Sequence, residues 1–168
     1  MRLACPARAS VWRLVTRRSG QVSLSTFDRN GQDRLALVIP MQRTIAVVED
    51  DASLLNAIGR LLRRHGYDVQ LFSSAAEGLH ALAASPADCI ILDCHLGAAS
   101  GIELARQLSA RRIEIPVIFM SGSSDAGLQR HVMDVGCIAY LQKPFQENLL
   151  LDAINKALSP ALNNGRSP

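Results

Sequence analysis

The chain is poor in aromatic residues: one Trp, two Tyr and four Phe make up 4% of it. A core of stacked rings is thereby excluded, and Leu, Ile, Val and Ala must fill the interior. No apolar run reaches the eighteen or so residues that a membrane span needs, so no membrane association is expected. There are only four cysteines, Cys5, Cys89, Cys94 and Cys137, with no CxxC pair and no His/Cys metal spacing. This argues against a disulfide framework or a structural zinc site. Buried free thiols in a reducing cytoplasm are the expected state. Neither GxGxxG nor GxxxxGK followed by Ser or Thr occurs, which argues against dinucleotide-binding and P-loop nucleotide domains. Lys and Glu are missing from residues 1–40, where seven Arg stand against Asp28 and Asp33.

What is present reads as one ordinary globular domain with tails. The 168 residues are 48% hydrophobic and 20% charged, enough for a normal core. The net charge of +3 is unevenly placed, with +5 in residues 1–40 and −2 in residues 41–168. The remainder is mildly acidic, so it is not expected to bind nucleic acid directly.

Three origins fit the Arg- and Ser-rich prefix. In order of preference they are a disordered leader or a start assigned too far upstream, a targeting peptide, and a functional basic arm. Met41 stands immediately before QRTIAVVEDD, where periodic sequence begins. The expected division is a leader over 1–42, a folded domain over 43–158 and a flexible tail over 159–168, where SPALNNGRSP has the composition of a frayed end.

Between the tails, short apolar runs alternate with helical patterns. Ile45-Ala46-Val47-Val48, Val69-Gln70-Leu71-Phe72, Cys89-Ile90-Ile91-Leu92, Val117-Ile118-Phe119-Met120 and Ile138-Ala139-Tyr140-Leu141 read as five strands. The first helical stretch carries Leu54, Ile58, Leu61 and Leu62 on one face and ends at Gly66. Ala75, Leu79 and Leu82 mark the second, and Ile102, Ala105 and Leu108 the third. Leu128, Val132 and Val135 mark a fourth, and Leu150, Ala153, Ile154, Ala157 and Leu158 the last. This alternation predicts an α/β, doubly wound, five-stranded parallel sheet. Strands apolar throughout suit a sheet covered on both faces.

In such sheets ligands gather outside the carboxyl ends of the strands. There the sequence places Glu49 and Asp50, then Asp93, Ser121 and Lys143. Carboxylates about 5 Å apart repel by up to a few kcal/mol at an effective dielectric near 20. Gathering them calls for a cation. Hard oxygen donors without a His or Cys requirement suit magnesium, which also takes phosphate oxygens. Lys143 supplies a positive charge for phosphate or carboxylate, and Ser121 a hydroxyl for a phosphoryl oxygen. Any one of these residues alone has an ordinary explanation as a cap, a turn or a surface lysine. Their joint appearance at the ends of four strands does not. Asp51 is expected to cap the first helix instead of binding metal.

The motifs VVEDD, IILD, FMSG and YLQKPF, in this order, resemble the receiver domain of bacterial two-component response regulators, over roughly Arg43 to Leu158. The resemblance implies a (βα)5 flavodoxin-like receiver fold, and the chain resembles receivers of LuxR-type transcriptional regulators. It implies Asp93 as phosphoacceptor and Mg2+ held by Glu49, Asp50, Asp93 and the backbone carbonyl of His95. Ser121 becomes a switch hydroxyl, Tyr140 a rotating aromatic and Lys143 a phosphate-pairing lysine. The Lys143-Pro144 peptide is expected to be cis. DCHLGAASG departs from the usual pattern, with Gly97 where proline is common, so a more flexible loop is expected beside the site.

The implied partners are a histidine kinase or phosphotransfer protein, a downstream effector protein, and a second copy through the face of the fourth helix, fifth strand and fifth helix. About ten residues follow the last helix, too few for a helix-turn-helix module, so a stand-alone switch signalling by protein binding is expected. A receiver piece of a DNA-binding regulator stays open. The rival is an aspartyl-nucleophile phosphatase of the haloacid dehalogenase type. That enzyme would want its nucleophile on the first strand and a second Asp two residues later, where this chain has His95. A switch protein, not an enzyme, is therefore the expectation.

Overall fold

The computed structural model describes residues 42–124 and 126–159, and in residues 11–39 the backbone of three strands. Cys5 and nearly all of the expected tail lie outside the described residues. The chain divides into two compact units, residues 1–42 and 43–168.

Where a patternless leader was expected, the first unit contains β1 (Val11–Thr16), β2 (Val22–Phe27) and β3 (Asp33–Ile39) in an antiparallel ladder of order β1-β2-β3. The signal was in the sequence. Val, Thr, Ile, Trp and Phe supply nine of the nineteen residues in these runs, and Ser19-Gly20 and Asn30-Gly31 stand between them in the sequence, the second pair being a strong hairpin dipeptide. The Arg-rich composition masked it.

The second unit is the predicted doubly wound sheet. Its strands are β4 (Thr44–Val48), β5 (Asp68–Phe72), β6 (Cys89–Asp93), β9 (Val117–Ser121) and β10 (Ala139–Gln142), all parallel, in the order β10-β9-β6-β4-β5. The helices are α1 (Ala52–Arg64), α2 (Ala75–Ala84), α3 (Gly101–Ala110), α4 (Ala126–Asp134) and α5 (Glu147–Leu158). Because successive strand residues point to opposite faces, the sheet feeds two cores. Ala46, Val48, Ile90, Leu92 and Phe119 pack with Leu82, Leu104, Leu108 and Val132 from α2, α3 and α4. Ile45, Val47, Ile91, Ile118 and Met120 pack with Leu55, Ile58, Leu62, Leu150 and Ile154 from α1 and α5. The chain leaves β4 in one direction to β5 and in the other to β6, so the crevice of the sheet opens at the carboxyl ends of β4 and β6.

The segment after β6 corrects the flexible-loop expectation. His95–Leu96 (β7) and Ala99–Ser100 (β8) pair as a tight hairpin, His95 opposite Ser100 and Leu96 opposite Ala99. Gly97 takes φ +61° at the first turn position. A glycine in that place is what a two-residue turn of the II′ kind needs, so it closes the segment.

Candidate functional site

Four strand ends bring the predicted residues together. Glu49 and Asp50 follow β4, Asp93 closes β6, Ser121 closes β9, and Lys143 follows β10. The Lys143 N–H donates to the Ser121 carbonyl at 2.8 Å, extending the β9–β10 ladder by one step, and the Lys143–Pro144 peptide is cis as expected. Asp51 caps α1, its Oδ1 accepting the N–H groups of Ser53 and Leu54 at 2.8 and 3.0 Å. Those two hydrogen bonds hold its carboxyl below the usual carboxylate range. Occupied in this way, it leaves Asp50 as the second acid of the rim.

The centre of the site is a buried charge cluster. Glu49 is 1% exposed, Asp93 6% and Ser121 0%. Carboxylate oxygens of Glu49, Asp50 and Asp93 lie within 4.8 Å of one another, with Asp50 exposed. The Lys143 ammonium donates to Glu49 Oε2 and to Asp93 Oδ2, each at 2.6 Å. Glu49 Oε1 accepts the Asp51 N–H at 3.3 Å, and Asp93 Oδ1 accepts the His95 N–H at 3.1 Å. Burial pushes the Glu49 carboxyl above its ordinary range. The Lys143 hydrogen bond opposes that rise, and the charge of Asp93 adds to it. Burial alone would lower Lys143, but its hydrogen bonds to Asp93 and Glu49 outweigh burial and raise it. Asp93 sits in a polar cradle, with an ammonium on one oxygen and a backbone N–H on the other.

The donor set fits a divalent hard cation. Three carboxylates face one ammonium, leaving two negative charges unbalanced among the described groups of the rim. All donors are oxygens, and the exposed Asp50 leaves a solvent side for the waters that magnesium keeps. The His95 side chain is exposed, in keeping with an implied role for its main chain alone.

Ser121 and Tyr140 meet on one residue. Ser121 Oγ accepts the Ser123 N–H at 3.1 Å, and the half-buried Tyr140 hydroxyl donates to the Ser123 carbonyl at 3.0 Å. The sequence offered no sign of Ser123 as the meeting point, because the contact depends on the turn after β9. Two further neighbours were missed. Cys94 is 2% exposed beside Asp93; burial and then the charge of Asp93 push its thiol up to about 11. Gly101 opens α3 against the main chain of Asp93, and Ser100 caps that helix by accepting the Ile102 N–H at 3.2 Å. The pair Ser100-Gly101 was visible in DCHLGAASG, and only its purpose was hidden.

Comparison with known proteins agrees with this arrangement. Residues 45–155 match the family model described as the response regulator receiver domain. The chain is 36% identical over 116 residues to the transcriptional regulatory protein TdiR of Thauera aromatica, covering 69% of this chain and 51% of that protein. It is 37% identical over 117 residues to the response regulator protein TodT of Pseudomonas putida, covering 70% and 52%. The chain thus spans about half the length of these curated relatives. Among solved structures, a CheY-like response regulator receiver domain protein from Methanospirillum hungatei superposes with a TM-score of 0.68 at 25% identity, covering 74% of this chain and 99% of that one. The structure of FixJ-N gives 0.67 at 23% identity, covering 76% and 99%, a likeness of fold. With the rim of acids, hydroxyl and lysine at the carboxyl ends of β4, β6, β9 and β10, this chain belongs to the response regulator receiver domain family.

Proposed function

We propose that Asp93 is the phosphoacceptor of this receiver, taking a phosphoryl group from a phosphohistidine on a histidine kinase or phosphotransfer protein. The observation that carries this is the Asp93 carboxylate itself: buried at the open edge of the sheet, within 4.8 Å of two other carboxylates, and hydrogen-bonded to Lys143 at 2.6 Å. In the transfer the histidine N–P bond breaks and a bond forms from an Asp93 carboxylate oxygen to phosphorus. The histidine keeps the electron pair and is neutralised by a proton.

Glu49, Asp50, Asp93 and the His95 carbonyl would hold Mg2+, which when bound neutralises charge on the transferring phosphoryl oxygens. Lys143 holds Asp93 in place and offers its ammonium to a phosphoryl oxygen, so positioning and charge do most of the work. Phosphorylation adds nearly two negative charges. Ser121 Oγ then turns from the Ser123 N–H to a phosphoryl oxygen, and Tyr140, joined to the same residue, shifts with it. The face of α4, β10 and α5 changes accordingly and binds an effector protein or a second copy of the chain. A ligand shifts such an equilibrium only through contacts that differ between the two states. The switch resides in residues 43–158, without direct nucleic-acid contact, in the cytoplasm.

The test is incorporation of label from acetyl phosphate in the presence of magnesium. The parent should be labelled, and Asp93→Asn should not, because an amide is a far poorer nucleophile than a carboxylate. Undiminished labelling of Asp93→Asn would sink the assignment. Asp50→Asn should lose most of its magnesium binding, and a titration like the parent's would remove Asp50 from the metal set.

A further inference from the structure

We infer that Gly101 is a positioning residue for phosphoryl transfer: its bare Cα lets the first turn of α3 close on the main-chain carbonyl of Asp93, and this closure fixes the carboxylate. The inference rests on Asp93 being the acceptor, and it concerns how that acceptor is held.

A Cβ built on Gly101 would overlap the Asp93 carbonyl oxygen and lie 3.0 Å from its carbonyl carbon. Both clashing atoms are backbone, so no side chain can swing aside to make room. The peptide between Asp93 and Cys94 is also anchored on its other side, where the Cys94 N–H donates to the Met120 carbonyl of β9 at 2.9 Å. Rotating that peptide away from an added methyl would break this bond to the sheet. Retreat of α3 is opposed as well. The Gly101 N–H donates to the Cys94 carbonyl at 3.2 Å, and the His95–Ser100 pair of the β7–β8 hairpin closes the same loop.

Residues 94–101 therefore form a clasp that starts and ends on Asp93. The clasp also delivers the His95 N–H to Asp93 Oδ1 at 3.1 Å, while Lys143 holds Oδ2 at 2.6 Å. With both oxygens held, the carboxylate has one orientation. A methyl at position 101 must move the Asp93 Cα or open the clasp, and either movement displaces the nucleophile from Lys143 and from the other two acids. Displacement of a reacting group by about 1 Å costs on the order of 100-fold in rate.

The experiment measures the rate of labelling by acetyl phosphate against donor concentration for the full chain, with magnesium titrated in parallel. Gly101→Ala should lower the maximal rate by roughly 100-fold, with little change in the half-saturating donor concentration. Its magnesium affinity should weaken, because Asp93 is one of the ligands. Asp88→Ala, at the opposite end of β6, destabilises the same strand without touching the clasp and should keep the parental rate. A parental rate in Gly101→Ala, or an equal slowing in Asp88→Ala, overturns the inference. If Gly101→Ala does not fold, Ser100→Gly loosens the same clasp with no steric load and should also slow transfer; a parental rate there overturns it equally. An unlabelled parent would overturn the acceptor assignment and this inference with it, a result distinct from a labelled parent with an unaffected Gly101 variant.

Discussion

The two edges of the parallel sheet treat charge in opposite ways. At the amino edge, Asp88 accepts from the Arg43 guanidinium at 2.7 Å and from the Thr44 N–H at 2.8 Å, one acid against one base. The helices that end near this edge are closed by main-chain bonds. The Tyr67 N–H reaches the Leu62 carbonyl past Gly66, and the Ile113 N–H reaches the Leu108 carbonyl past Arg112. At the carboxyl edge, three carboxylates gather beside one ammonium, which pairs with the two that are almost fully buried, Glu49 and Asp93. A balanced pair needs nothing further. An unbalanced buried cluster costs stability, and a fold retains it where a cation or a reacting group is to be bound. The difference separates Asp88, a paired acid just ahead of β6, from Asp93, the proposed acceptor at the end of that strand.

Lys143→Met should expose this contrast most strongly. Removing the ammonium leaves Glu49 and Asp93 buried without a cation, which costs about 3 kcal/mol in metal-free urea unfolding. Millimolar magnesium should restore a good part of that loss. A variant as stable as the parent without metal would show that the cluster is not under electrostatic load. Next in size is Asp88→Ala, which removes a part-exposed ion pair and the partner of a backbone N–H. A loss of about 1.5 kcal/mol is expected, equal with and without magnesium. An effect that depended on magnesium would break the division between the edges.

Magnesium itself should raise the parent's stability by about 1.4 kcal/mol at ten times its dissociation constant. The same rise should appear in Asp88→Ala and be nearly absent in Asp50→Asn. The smallest effect sharpens the account of the amino edge. Arg112 has φ +60°, in the position where α1 and α4 use Gly66 and Gly136, at φ +84° and +87°. Arg112→Gly should relieve a left-handed cost of roughly 1–2 kcal/mol, offset by about 0.4–1 kcal/mol of added unfolded-chain freedom, for a small net gain without altering the labelling rate. A loss of stability would mean that the Arg112 side chain makes a contribution larger than the backbone relief.

Much of this was legible before the fold was known. The beat of apolar runs and helical stripes is local, and so are the strand ends at Glu49, Asp93, Ser121 and Lys143. The capping role of Asp51 followed from its position ahead of a helical stripe. The stripe of α1 was displaced slightly: Leu55 is 7% exposed and faces the core, while Leu54 and Leu61 are only partly buried. A helix has a continuous surface, and the packing partner chooses the centre of its apolar arc. The strands of residues 11–39 are hard to read from sequence because an Arg excess overlies their β-branched residues and two of the three runs do not alternate. In the loop after Asp93 a lone glycine suggests freedom, whereas the pairing of its neighbours closes the segment. Once its neighbours pair, a glycine with positive φ is what permits a tight turn.

By itself the sequence determined the class of fold, the order of its elements and the set of residue types delivered to the carboxyl edge. Those depend on periodicity and on which residue ends each strand, both local properties of a chain. Only the tertiary structure decided that Lys143 would bridge Glu49 and Asp93, that Ser121 and Tyr140 would meet on Ser123, and that α3 would rest on the Asp93 carbonyl at Gly101. Lys143 lies 94 residues from Glu49 and 50 from Asp93. Contacts at such separations are set by strand order and helix packing to within fractions of an ångström, and no local pattern of side chains encodes distances on that scale.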